Sequence, residues 1–221
     1  MSTTFKPFGL KPAYHPSGLD RAVPFTGTNS FVTGVSYTAP YSLSSGQAFY
    51  QYQPVSITGA GALTIANAAA ASGTVYGVFD GVEFTDSQGR RSVAKWAAKA
   101  TLDASTEIVF WIFADPSLVY EIQSEGSITS AAIGSQYNFS TTAGYTPTGG
   151  INIGNGGAGF STTAIAATGV TAGQQGQVRV VGLGREVAFP TGELNAWGDA
   201  KTIVQVQIAN NTFVAPKVSV S

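Results

Sequence analysis

Apolar and polar positions alternate with a period of two along much of the chain, the spacing of strands with one buried face. Residues 49–55 set Tyr against Gln and read as one strand. Residues 74–79 and 82–85 flank Asp80-Gly81, a turn-forming pair, and together predict a hairpin. Residues 86–89 supply the next turn. The run 107–113 is the most apolar in the chain; its β-branched and aromatic content predicts a strand buried on both faces. Asp115-Pro116-Ser117 turns the chain into 118–123, where Glu121 and Gln123 alternate with Tyr120 and Ile122. Further strands are expected at 177–181, 186–189 and 202–208, with Gln205 and Gln207 alternating against Val204, Val206 and Ile208. The tail 213–220 fits an edge strand guarded by Pro216. Residues 94–100 fit either one or two helical turns or a strand.

The first 45 residues differ. Pro7, Pro12, Pro16, Pro24 and Pro40 punctuate them, with Gly9, Gly18, Gly27 and Gly34 between. Proline removes backbone donors and fixes φ, so regular helix and central strand are disfavoured. Yet Phe5, Phe8, Leu10, Tyr14 and Phe25 are too apolar for a solvated linker. Two readings stand side by side: an extended arm whose anchors dock on a partner, or an irregular segment covering its own core. The expected fold is therefore all-β, an antiparallel β-barrel or sandwich body at 46–221 with an extended, Pro/Gly-punctuated N-terminal arm at 1–45. Residues 140–176 form a Gly/Thr/Ala-rich region, either a long packed loop at a subunit contact or a short meander. No repeat of solenoid or propeller length is evident.

Composition narrows function. The 221 residues include no Cys, one His and one Met, and only 10% are charged, against 27 Gly. Nucleophilic, metal-assisted and acid–base catalysis each need particular titratable groups held together, so no catalytic, cofactor or metal site is expected. The hydrophobic share of 43% is enough for a core. A net charge of −1 gives no basic footprint for nucleic acid. No apolar run is long enough for a membrane span. The N-terminus has no apolar signal region, so the expected site of synthesis is a cytoplasm, and the Asn138 and Asn210 sequons read as chance matches.

Each chemical candidate has a plainer alternative. Gly154 to Gly159 matches a dinucleotide fingerprint, but the Thr-rich segment after it does not supply the helix that would hold a pyrophosphate. Asp80, Glu83 and Asp86 fit a shared divalent cation or a solvated face. The cluster of Arg90, Arg91, Lys95 and Lys99 reads as a solvated face or an inter-subunit ion pair. His15, between prolines, reads as a hydrogen-bonding residue at a contact. Glu121 and Glu125 are a weak hint of a glycosidase-like pair. Trp96, Trp111 and Trp197 fit a sugar platform or burial.

Three runs carry a resemblance: Phe8-Gly-Leu-Lys-Pro-Ala-Tyr-His-Pro-Ser-Gly-Leu-Asp-Arg-Ala22, Gly77-Val-Phe-Asp-Gly-Val-Glu-Phe-Thr-Asp-Ser-Gln-Gly-Arg-Arg91 and Val109-Phe-Trp-Ile-Phe-Ala-Asp-Pro-Ser-Leu-Val-Tyr-Glu-Ile-Gln123. They resemble small virion structural proteins of tailed bacteriophages, most of all capsid decoration (cement) proteins. The resemblance covers about half the chain, in style and short runs. It implies a β-rich body on the outer lattice of the major capsid protein, often as a homotrimer, with an arm reaching to neighbours. The implied location is the virion surface, and the implied partners include neither nucleic acid nor membrane. It brings no catalytic residue. The partner-binding anchors expected on this reading are Phe5, Phe8, Leu10, Tyr14, His15 and Phe25. A carbohydrate-binding or adhesin-like surface module, and a tail or fibre component, are the alternative roles.

Overall fold

The computed structural model of the chain describes residues 5, 7–18, 21–27, 39–66, 74–140, 161–185, 187–188 and 193–214. The fingerprint match at 154–159, most of the expected tail strand and residues 28–38 of the expected arm lie outside them.

Strands β1 (Lys11–Tyr14), β2 (Val23–Phe25), β3 (Ala48–Tyr50), β4 (Gln53–Ile57) and β5 (Leu63–Ile65) come first. Then follow β6 (Gly77–Thr85), β7 (Arg91–Ala94), β8 (Trp96–Ala98), the short helix α1 (Lys99–Asp103), β9 (Thr106–Phe113) and β10 (Val119–Gln123). The last are β11 (Gln136–Tyr137), β12 (Val178–Leu183), β13 (Val187–Ala188), β14 (Glu193–Leu194) and β15 (Ile203–Ile208). One sheet runs β1-β10-β15-β12-β11 and a second runs β2-β9-β6-β4-β5, with β7 paired to β6. The pairings are antiparallel and both sheets stay open, so the fold is an all-β sandwich and not a closed barrel.

Two cores result. The first gathers Leu10, Val78, Leu118, Tyr120, Ile122, Val178, Val180, Val204 and Val206. The second is built on Phe49, Phe79 and Phe110, whose ring centroids lie 5.2–6.2 Å apart, with Val55, Leu63, Ile108 and Ile112 around them. Strand alternation on β6 points Val78 into the first core and Phe79 into the second. One strand thus joins the two halves.

Three expectations are corrected. Asp80-Gly81 makes no hairpin, because neither residue adopts the positive φ that such a turn requires. Instead β6 runs straight through with a bulge between Phe79 and Gly81, and Asp80 is held by Lys95 and Gln51. The single strand expected at 49–55 is two, because Tyr52 takes a φ of 65° and redirects the chain from its β8 partner to β6. Strand β9 is central, but its burial alternates: Ile108, Phe110 and Ile112 are buried, while Val109 and Trp111 are only half-covered. Other expectations match. Asp86 accepts the Gln88 and Arg90 N–H groups and closes the β6–β7 turn at Gly89, and 94–100 divides between the end of β7, strand β8 and the start of α1.

The described part of the N-terminal segment lies along both sheets: β1 is the outer strand of the first, on β10, and β2 the outer strand of the second, on β9. Leu10 is fully buried in the first core. Its N–H donates to the Tyr52 carbonyl (2.8 Å) and the Gly9 N–H to that of Thr163 (3.2 Å). Gly9 has φ +80°, and a Cβ there would lie 2.3 Å from the Tyr52 carbonyl oxygen, so only glycine passes this crossing. In the small-residue region Ile165 bridges to Ser124 and Phe139 and packs into the first core.

Candidate functional site

The expected anchors divide by direction. Leu10 is buried, and Phe25 is half-buried with its ring 5.5 Å from that of Tyr76. Phe8 is partly covered. Phe5 and Tyr14 are exposed, Tyr14 at 44%, and so is Val23 on β2. The Lys201 ammonium lies 4.8 Å from the Phe5 ring centroid, within cation–π range. The buried set fixes the segment to the sheets, and the exposed set keeps part of its surface open to solvent.

His15 ties the end of β1 to the β9–β10 turn. Its side chain is 5% exposed; Nδ1 accepts the Ser17 N–H at 3.0 Å, and Nε2 lies 3.1 Å from Asp115 Oδ2. That second contact is a close approach and not an aligned hydrogen bond. The Ser117 N–H above all, with His15 adding to it against the opposing effect of burial, holds the Asp115 carboxyl below its usual range.

Between β1, β10 and β15 lies a cleft of about 460 Å³ lined by Lys11, Pro12, Ala13, Tyr14, Glu121, Arg185 and Gln205. Register sets Lys11 opposite Glu121 and Gln205 beside it, so the three share one face of the sheet. Glu121 is only 6% exposed. Its Oε1 accepts the Arg185 N–H at 2.7 Å and, more weakly, the Gln205 amide at 3.4 Å. Glu125 belongs to a different neighbourhood, where its carboxylate accepts the Ser140 hydroxyl and its carbonyl the Lys201 ammonium. The two glutamates therefore do not converge on shared partners.

Along β6 and the turn after it Asp80, Glu83 and Asp86 each meet a cation, with Arg91 shared between Glu83 and Glu107. Asp80 pairs with Lys95 (2.9 Å), Glu83 with Arg91 (2.7 Å) and Asp86 with Arg90 (3.0 Å). Backbone donation from Arg90 is the largest influence holding Asp86 below the usual carboxylate range. Among the described residues no three acidic or histidine side chains gather around one point. The aromatic platform is likewise not assembled: Trp96 is exposed on β8, Trp111 is half-covered on β9 and Trp197 packs against the first core.

The cleft escaped sequence reading, although its signal is present. Alternation places Glu121 with Gln123 on one face of 119–123 and Gln205 with Gln207 on one face of 203–208. It does not show that most of these positions are covered. Comparison of the chain with protein-family models, with curated proteins and with solved structures returned no match.

Proposed function

We propose that the protein is a non-enzymatic virion structural protein, a capsid decoration (cement) protein that binds the outer lattice of the major capsid protein and stabilises the head. The observation that supports this reading is the N-terminal segment: it forms an outer strand of both sheets, is fixed by Leu10, and leaves Phe5 and Val23 partly exposed. An apolar anchor held on a rigid scaffold loses little entropy on docking. Burying one such side chain contributes roughly 1.5–3 kcal/mol. Many copies on a symmetric lattice add avidity to contacts that are individually modest. The locally paired charges of the second sheet suit close packing among identical neighbours, and a homotrimer fits three-fold lattice positions.

Phage heads assembled with and without the protein separate the possibilities. Decorated heads are expected to withstand higher temperature and osmotic shock; equal resistance contradicts the reading. Light scattering of the free protein is expected to give three copies, and a monomer that also fails to form trimers on heads excludes that part of it.

A further inference from the structure

We propose that the cleft beside β1 is a saccharide-binding site, taking one hexopyranose of a neutral glycan with the Tyr14 ring as its platform. Its volume of about 460 Å³ is in the range of small-ligand sites. Its chemistry selects the ligand class. Lys11 and Arg185 oppose a simple cation, and the buried Glu121 carboxylate opposes a simple anion. A neutral ligand that donates and accepts at adjacent positions fits all three, and vicinal sugar hydroxyls do so.

Glu121 is prepared for that role. Both of its hydrogen bonds fall on Oε1, and among the described residues Oε2 makes none. The carboxylate is oriented by a backbone N–H and keeps one oxygen to accept a ligand hydroxyl, a charge-assisted bond. The Gln205 amide beside it adds a donor and an acceptor. Tyr14, exposed at 44% on the rim, offers an aromatic face to the C–H side of a pyranose, and Pro12 extends the apolar wall. A sugar bound here would let a head-borne protein hold cell-surface or environmental glycans. The inference stands independently of the proposed attachment to heads through Phe5 and Val23.

Saturation-transfer difference NMR on the full chain tests this, using the methyl α- and β-glycosides of glucose, galactose and mannose at millimolar concentration. At least one glycoside is expected to show transfer to its ring protons. Tyr14→Ala, a change at an exposed side chain, and Glu121→Gln, which keeps an acceptor for the Arg185 N–H, are each expected to weaken that binding tenfold or more. Trp96→Ala, at an exposed aromatic outside the cleft, is expected to leave it unchanged. No transfer from any of the six overturns the proposal. So does binding that survives both cleft variants, or that is lost only with Trp96→Ala.

Discussion

On the second sheet, charge is settled between neighbours at the surface: Asp80 with Lys95, Glu83 with Arg91, Asp86 with Arg90. On the first sheet, Glu121 is buried and is met by a backbone N–H and an amide. The cores differ as well, the second being an aromatic cluster and the first largely aliphatic around Tyr120. An exposed pair contributes little to stability and can be lost cheaply. A buried carboxylate whose hydrogen bonds come from neutral donors is costly and persists where surrounding structure orients it. The two sheets thus handle charge differently, by exposed pairing on the second and by buried hydrogen bonding to neutral donors on the first.

The largest expected effect lies in the second core. Phe110→Ala removes a ring in contact with Tyr41, Phe49 and Phe79 and should cost about 3–5 kcal/mol in denaturant unfolding. Gly9→Ala comes next, about 1–3 kcal/mol for the backbone conformation alone, with the Tyr52 carbonyl collision added. A loss confined to the first core would show that the sheets unfold separately; a single transition would show that β6 couples them. Glu121→Ala leaves the Arg185 N–H without its acceptor and should cost about 1–3 kcal/mol, whereas Glu121→Gln should cost less. Arg91→Ala, at a half-exposed network on the other sheet, should cost under about 1 kcal/mol. If Arg91→Ala costs more than Glu121→Ala, the contrast between the sheets is wrong.

Acid should distinguish two ties. Asp103 is held below its ordinary value of 3.8 first by the Lys99 ammonium and then by the Tyr41 hydroxyl. Asp115 is held below the same value by the Ser117 N–H and His15. A depressed folded-state pKa contributes stability that is present above the unfolded value and is lost as pH falls through the folded one. Unfolding free energy should therefore decline below about pH 4, and Asp103→Asn with Asp115→Asn should flatten that decline. An unchanged acid limb in the double variant would exclude these two carboxyls.

Much of the fold was legible because alternation and turn chemistry are local. The apolar, β-branched and aromatic run 107–113 marked β9, though not its alternating burial, and Asp86 with Gly89 marked the β6–β7 turn. Asp80-Gly81 misled because a turn signal yields to a long strand when tertiary partners, here Lys95 and Gln51, claim the aspartate. The break at Tyr52 was hidden because a positive φ at tyrosine has no sequence signature and is fixed by the crossing with Gly9 and Leu10. The cleft was hidden for a related reason. Alternation shows which residues of a strand share a face and is silent on which strand, here β1, lies beside β10 and supplies the rest of the lining.

Deleting the N-terminal segment would remove an outer strand from each sheet together with Leu10, so surface substitution is the cleaner probe of attachment. The decisive measurement is the occupancy of undecorated heads by a Phe5→Ser, Val23→Ser double variant, with its unfolding transition recorded alongside. The expected result is a single cooperative transition, lowered by no more than the loss of the Phe5–Lys201 contact and of the Val23 side chain explains, with occupancy reduced at least tenfold at subsaturating protein. Wild-type occupancy by the folded variant would contradict it.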